Sequence, residues 1–313
     1  MNYRALGSVA VAAAIAFAQP VVYIAQEANK AVQIIAAARK AIGDKKLDAL
    51  KTFSVQGSLQ RNVNTSQVTS DIEIVLELPD KYLRSETPSG SSGMMMGPSL
   101  GATGFDGDRP LQKIQNGNML PGGGMVIRIG GMGSSGGGGE KMTPEQIEEM
   151  SKSVVRNSRV EASRLMLGWF ASAHPAANAT YFYAGEAESA EGKAHVIDVK
   201  NAENLAVRLF IDEVTNLPLM VTYKAPQPRM ITNMMTSEAT SPADLEKQMQ
   251  ELQKQAPVLA DYAMYFEDWR DVDGIKFPFR MRRSMAGTTT EEWTVNKVKV
   301  NPKVDPKRFA GES

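Results

Sequence analysis

The chain has 313 residues, 42% of them hydrophobic and 22% charged, with 35 basic and 35 acidic side chains and so no formal net charge. That is enough apolar content for a full-sized core, and the balanced charge excludes the basic bias on which nucleic-acid binders depend, so nucleic acid is not an expected partner. There is no cysteine and there are two histidines, His174 and His195. Disulfides, a lipid-modified N-terminal cysteine and thiolate metal sites are therefore excluded, and a histidine-based triad has little to draw on.

Met1-Asn2-Tyr3-Arg4 and the apolar run 5–18 read as a signal peptide over 1–18, with Ala16-Phe17-Ala18 as a small-x-small cleavage site. Cleavage is expected near Ala18 and no later than Gln26, which leaves a soluble exported chain, placed in the periplasm. The alternative is an uncleaved anchor helix extended through Val21, Val22 and Ile24. No later apolar run approaches the roughly 20 residues of a spanning helix.

Residues 27–42 carry Ala31, Ile34, Ile35, Ala38 and Ile42 on one helical face, with Gly43 as the stop. Strands are expected at 53–62 and 68–78. In the second, Ile72, Ile74, Leu76 and Leu78 alternate with Glu73 and Glu77 until Pro79-Asp80 breaks the run. Between 89 and 139 the composition turns to Gly, Ser and Met, a mixture that cannot offset its ordering entropy by burial. Flexible insertions are expected near 89–102 and 130–139, around short sheet segments at Phe105-Asp106-Gly107 and 125–129. The alternative is a single interdomain linker.

Thr143-Pro144-Glu145-Gln146 is a capping box with proline at the first helical position. It predicts an amphipathic helix to about Ala173, with Ile147, Met150, Val154, Ser158, Ala162, Leu165 and Trp169 on its apolar stripe. Strands are expected at 181–188, 194–200, 205–212 and 217–224. Ser241-Pro242-Ala243-Asp244 then starts a second helix with Leu245, Met249, Leu252 and Ala256, ended by Pro257. Strands at 258–269, 275–284 and 288–300 complete the pattern. In the last, Trp293 and Val295 alternate in one phase and Val298 and Val300 in the other, which predicts a β-bulge near Asn296-Lys297.

Several motifs occur in a telling order: Leu78-Pro79-Asp80-Lys81-Tyr82-Leu83-Arg84, then Phe105-Asp106-Gly107, then Leu209-Phe210-Ile211-Asp212 with Asn216-Leu217-Pro218. Next come Trp269-Arg270-Asp271-Val272-Asp273-Gly274-Ile275-Lys276-Phe277-Pro278 and a closing Val298-Lys299-Val300-Asn301-Pro302 with Asp305-Pro306-Lys307-Arg308-Phe309. Taken together over most of 27–309, they resemble the outer-membrane lipoprotein carrier superfamily, the LolA and LolB type, and especially its lipoprotein-sorting-like branch. The resemblance implies an α+β, mainly β fold: a strongly curved antiparallel sheet, an unclosed half-barrel, with helices covering its concave face over a hydrophobic cavity. Leu78 stands where the compact carriers have an arginine involved in lid closure.

The expectation is thus a single LolA-like domain over 27–309 with a short tail at 310–313. It would act as a non-enzymatic monomer without cofactor or metal, carrying lipoprotein acyl chains or other lipids. The alternative is an envelope-stress sensor that binds a membrane-protein partner through the same fold. Candidate cavity residues are Ile72, Ile74, Leu76, Trp169, Leu209, Phe277, Phe279 and Trp293, and candidate lid residues are Leu165, Leu245, Met249 and Leu252. His174 and His195 are read as structural. Asp271-Val272-Asp273-Gly274 is read as a turn, because the calcium-loop pattern would put Trp269 and Arg280 where acidic ligands belong. The methionines at 94–96, 230, 234 and 235 suit an adaptable apolar surface better than a copper(I) site.

Overall fold

A computed structural model describes residues 19–63, 66–89, 99–115, 143–189, 192–227 and 256–309. Among these, twelve strands form one antiparallel sheet that is not closed into a barrel. In chain order they are β1 Thr52–Val63, β2 Ser66–Glu77, β3 Lys81–Pro88, β4 Ser99–Asp106, β5 Arg109–Gln115, β6 Thr180–Ser189, β7 Gly192–Lys200, β8 Ala206–Asp212, β9 Pro218–Pro226, β10 Leu259–Val272, β11 Ile275–Met285 and β12 Thr288–Val300. The spatial order β5-β4-β3-β2-β1-β12-β11-β10-β9-β8-β7-β6 brings the last strand beside the first and leaves β5 and β6 as edges.

Each strand expected from alternation is present. β3 and β5 were not expected, and β4 takes in 99–102, which were expected to end a flexible insertion but pair with β5; in β3, Tyr82, Arg84 and Glu86 share one face, so the row that would advertise burial carries two charges. The bulge in β12 is where the phase slip places it. Gln56 pairs with Lys297 and Gly57 with Val295, so Asn296 is the extra residue. Asp271–Gly274 is indeed the tight turn between β10 and β11, with the Gly274 amide donating to Asp271 Oδ1 at 2.8 Å and Asp273 and Gly274 at positive φ.

Helix α1, Gln19–Ile42, begins eight residues before the expected 27. The expected start followed the cleavage range, and nothing in 19–26 stops a helix after Pro20, which suits the first turn. Its face Ala31, Ile34, Ala38 and Ile42 is buried, and it packs on β6 and β11. The short α2, Lys45–Asp48, follows. Helix α3, Pro144–Phe170, starts in the expected capping box: the Gln146 amide donates to Thr143 Oγ1 and the Thr143 amide to Gln146 Oε1. It stops at Phe170 instead of Ala173, because Ala171 adopts a left-handed conformation and its amide closes on the Leu167 carbonyl.

α3 lies across the sheet against β3, β4 and β5 on one side and β8, β9 and β10 on the other. The core is the layer between helices and sheet. A smaller cluster on the opposite face, Val75, Leu83, Ala102 and Leu111, is covered by Phe309 after the turn Pro306–Arg308, and Arg308 pairs with Glu73 at 2.6 Å. The predicted helix from Ser241, with Leu245, Met249 and Leu252, lies outside the described residues. So do the leader 1–18, the segment 125–129, most of the two Gly/Ser/Met insertions, the methionines at 94–96, 230, 234 and 235, and the tail 310–313.

Gly168 marks a close approach of α3 to the sheet, since a β-carbon there would overlap the Phe266 ring of β10. Gly168→Ala gains about 1 kcal/mol of helix propensity but forces the ring off its rotamer. The expected net result is a loss of about 1–3 kcal/mol in urea unfolding, recovered in part by adding Phe266→Leu. An unchanged midpoint would mean that α3 does not sit this close.

Candidate functional site

The apolar rows of the sheet converge under the C-terminal half of α3. Ile72, Ile74, Leu76, Leu209, Phe277 and Trp293 from the sheet, and Leu165 and Trp169 from the helix, all belong to one buried core. Phe279 sits at its rim, half-buried, edge-on to Phe277 at 6.4 Å and beneath the Arg270 guanidinium. The middle of the layer is aromatic. Phe53 meets Phe170 edge-on at 5.0 Å and Phe277 at 5.2 Å, while Trp169 lies 5.1 Å from Phe277. The Trp169 indole N–H donates to Met281 Sδ at 3.1 Å, so its polar atom is satisfied inside the core. The sequence-derived residues are thus brought together, and α3 side chains fill the space between them.

An open groove of ≈ 440 Å³ reaches this layer from outside. Leu47 of α2 and Leu50 after it, Leu78 and Pro79 at the β2–β3 turn, Met166 and Phe170 of α3 and Ala173 just beyond its end form its walls, with Arg39, Asp48 and Lys51 at the rim. Phe170 belongs both to the groove and to the aromatic cluster. A second groove of ≈ 380 Å³ is lined by Val32, Ile35, Ala36 and Tyr181. Arg39 and Asp48, paired at 2.7 Å, border both.

At one end of the layer the apolar rows give way to charge. Phe277, Phe279 and Met281 run on to Arg283, Trp293 to Glu291, Tyr82 to Arg84 and Glu86, and Leu59 to Arg61, each with period two. Arg61 holds Glu86 through two bonds of 2.6 and 2.8 Å and Glu291 through one of 2.9 Å. Glu161 of α3 accepts from Arg84 at 3.2 Å and from Arg283 at 2.5 Å. The Arg84 guanidinium also lies over the Trp293 ring, and that of Arg164 over Tyr223 at 3.8 Å. Sequence reasoning missed this network. The available signal was parity, because these charges fall on the inward positions of their strands.

Burial alone would push these carboxyls up, but the arginines outweigh it. Arg283, Arg84 and Arg61 hold Glu291 at about 2, and Arg283, Arg84 and Arg164 hold Glu161 below the ordinary 4.5. His174 has the structural role expected of it: buried edge-on against Phe105, its Nδ1 accepts from the Ala176 amide and caps the turn Pro175–Ala177. Burial lowers its pKa from 6.5 to about 4.

No protein-family model matches the chain, and no curated protein matches it. Solved structures do. The chain is similar to a LolA superfamily protein from Nitrosomonas europaea, at 10% identity and TM-score 0.47 over 90% of this chain and 97% of that one. It is similar to a DUF1329 family protein from Desulfovibrio piger at 11% identity and TM-score 0.46, covering 92% and 97%. It is also similar to an outer membrane lipoprotein-sorting protein domain from Vibrio parahaemolyticus at 12% identity and TM-score 0.45, covering 90% and 97%. No described helix is long and apolar enough to cross a membrane.

Two measurements test the charge network. Glu161→Ala leaves Arg84 and Arg283 facing each other and is expected to lower the unfolding free energy by about 3–5 kcal/mol, with Glu161→Gln costing less; a loss within about 1 kcal/mol would show that the helix is held by apolar contacts alone. The pH profile follows from the lowered values. The unfolded chain takes up protons more readily than the folded one at each group, so stability is complete above the ordinary pKa and lost as pH falls. The melting temperature should fall first between pH 6.5 and about 4 through His174, then further below 4.5 toward about 2 through Glu291.

Proposed function

We propose that the chain is a non-enzymatic, exported carrier or binder of acyl chains, from lipoproteins or other lipids, working in the periplasm. The observation that carries this reading is the groove of ≈ 440 Å³ whose inner wall, Phe170, is also part of the cluster holding α3 to the sheet. Its volume is in the range of ligand pockets, which run about 300–1,000 Å³. A chain entering there meets apolar walls first and the aromatic layer next. When the end of α3 yields, Ile72, Ile74, Leu76, Leu209, Phe277, Phe279 and Trp293 form the floor, with Leu165 and Trp169 on the retreating cover. Each acyl CH₂ laid on that floor contributes about 0.8 kcal/mol. Contacts of this kind are non-directional, so a tail can replace the tryptophan and phenylalanine contacts it displaces.

Native mass spectrometry of the exported chain, as purified and after delipidation with a palmitoyl probe added, tests this. The expected result is stoichiometric uptake with a shift in Trp169 emission, lost in Trp169→Phe. Leu78→Glu, at a half-buried wall position, should weaken uptake by about tenfold or more by placing a carboxylate against the tail, with its melting temperature confirming a folded chain. A delipidated chain that takes up no acyl probe would sink the proposal. Crosslinking that recovers one membrane protein stoichiometrically, with no lipid, would put the sensor reading in its place.

A further inference from the structure

At the other edge of the sheet the core rows end differently. On β7 the row Val199, Ile197 is continued by His195, and on β8 the row Leu209, Ile211 is continued beyond the strand by Glu213. His195 pairs with Ile211 on one side and with Glu186 of β6 on the other. We propose that Glu186, His195 and Glu213 form a binding site for a divalent transition-metal ion of the zinc class, on the helix-covered face beneath α1.

A carboxylate oxygen from Glu186 and one from Glu213 lie with a His195 ring nitrogen such that all three atoms are within 4.8 Å of one another. His195 Nδ1 and Glu213 Oε1 are 3.7 Å apart. That is too long for a hydrogen bond and close to the edge of about 3.4 Å between two ligands in a zinc tetrahedron with bonds of about 2.0–2.1 Å. His195 Nδ1 is buried and has no hydrogen-bond partner. A buried ring nitrogen that faces the Glu213 carboxylate without bonding to it, with a second carboxylate beside the ring, is what an imidazole ligand looks like without its ion. One imidazole and two carboxylates supply three protein ligands and leave a fourth position open, the arrangement of a zinc site that can take water or an outside ligand.

The backbone is bent to make this constellation. The β6–β7 register shifts between Tyr183 and Gly185, so Ala184 is an extra residue and Gly185 has φ 121°. Without that bulge, positions 183 and 186 would face opposite sides of the sheet. With it, the Tyr183 hydroxyl donates to Glu186 Oε1 at 3.0 Å, and the Tyr183 ring lies 6.3 Å from His195. The Tyr183 bond and the nearby Lys30 ammonium hold Glu186 below its usual carboxylate pKa and so ionised. Lys30 of α1 reaches Glu186 Oε1 at 3.6 Å and lies 3.8 Å over the Tyr183 ring. A metal ion and the Lys30 tether therefore compete for one carboxylate.

The full chain, stripped with a chelator, is titrated with Zn²⁺ by calorimetry, and histidine-ring NMR is followed in parallel. The expected result is one ion per chain, with His195 ring signals shifting while those of His174 stay in place. His195→Ala should abolish binding and Glu213→Gln weaken it. Tyr183→Phe, which removes only the hydroxyl, should cost about 10–100-fold in affinity. Lys30→Gln should tighten binding several-fold. Circular dichroism and melting temperatures check that the variants fold, and the NMR arm uses the unaltered chain. No stoichiometric binding, binding that survives His195→Ala unchanged, or shifts confined to His174 would each overturn the proposal.

Discussion

One carboxylate fixes how the long helix sits on the sheet. Glu161 accepts from Arg84 on β3 and from Arg283 on β11, strands separated in the sheet by β2, β1 and β12. At the usual strand spacing, a flat sheet would hold β3 and β11 about 19 Å apart. Two arginine side chains that rise from the sheet among core residues meet at one carboxylate across that interval more readily if the sheet is concave toward the helix. The clamp is therefore a statement about curvature as well as about α3. It also sets the rotation and the axial position of the helix, because sliding α3 by a turn would take one carboxylate away from Arg84 and Arg283, leaving three arginines to share Glu86 and Glu291, which costs more than a shifted apolar contact.

The two halves of the α3 attachment differ in kind. Around Glu161 the bonds are directional and charge-assisted. From Leu165 to Phe170 the contacts are apolar, tight against Phe266 at Gly168, and closed by the left-handed Ala171. Apolar contacts can be exchanged for those of a fatty tail with little change in free energy, whereas a desolvated carboxylate between guanidiniums has no such substitute. The exchangeable, apolar part of the attachment is therefore at the C-terminal end of α3, the end bordering the larger of the two grooves.

The sequence carried much of this in local form. Period-two alternation located most of the strands, Thr143 and Gln146 located the start of α3, and the change of phase after Val295 located the bulge at Asn296. Each of these signals is contained within a few residues. The features that were missed are not. β3 looked unlike a strand because Arg84 and Glu86 occupy its inward row, and those charges make sense only beside Arg61 on β1, Glu291 on β12 and Glu161 on α3. His195 reads as an ordinary strand residue until the Ala184 bulge and the β8 register place Glu186 and Glu213 around it. Both sites depend on strand register, the charge network across segments far apart in the chain and the His195 cluster across three successive strands with a bulge, and composition and spacing do not encode register.

The same parity rule then explains the limits of the apolar floor. Along β11 the inward row runs from Phe277 through Met281 to Arg283, about 20 Å at the rise of a strand. On β7 and β8 the inward rows end instead at His195 and just beyond Ile211. Charged and ligating groups thus mark where the greasy surface stops on each side, and in both places a covering helix takes hold of them: α3 through Glu161, and α1 through Lys30 on Glu186. The boundary of the floor and the anchorage of its covers are made of the same residues. Any change that shortens or lengthens the floor must therefore also alter how firmly it is closed.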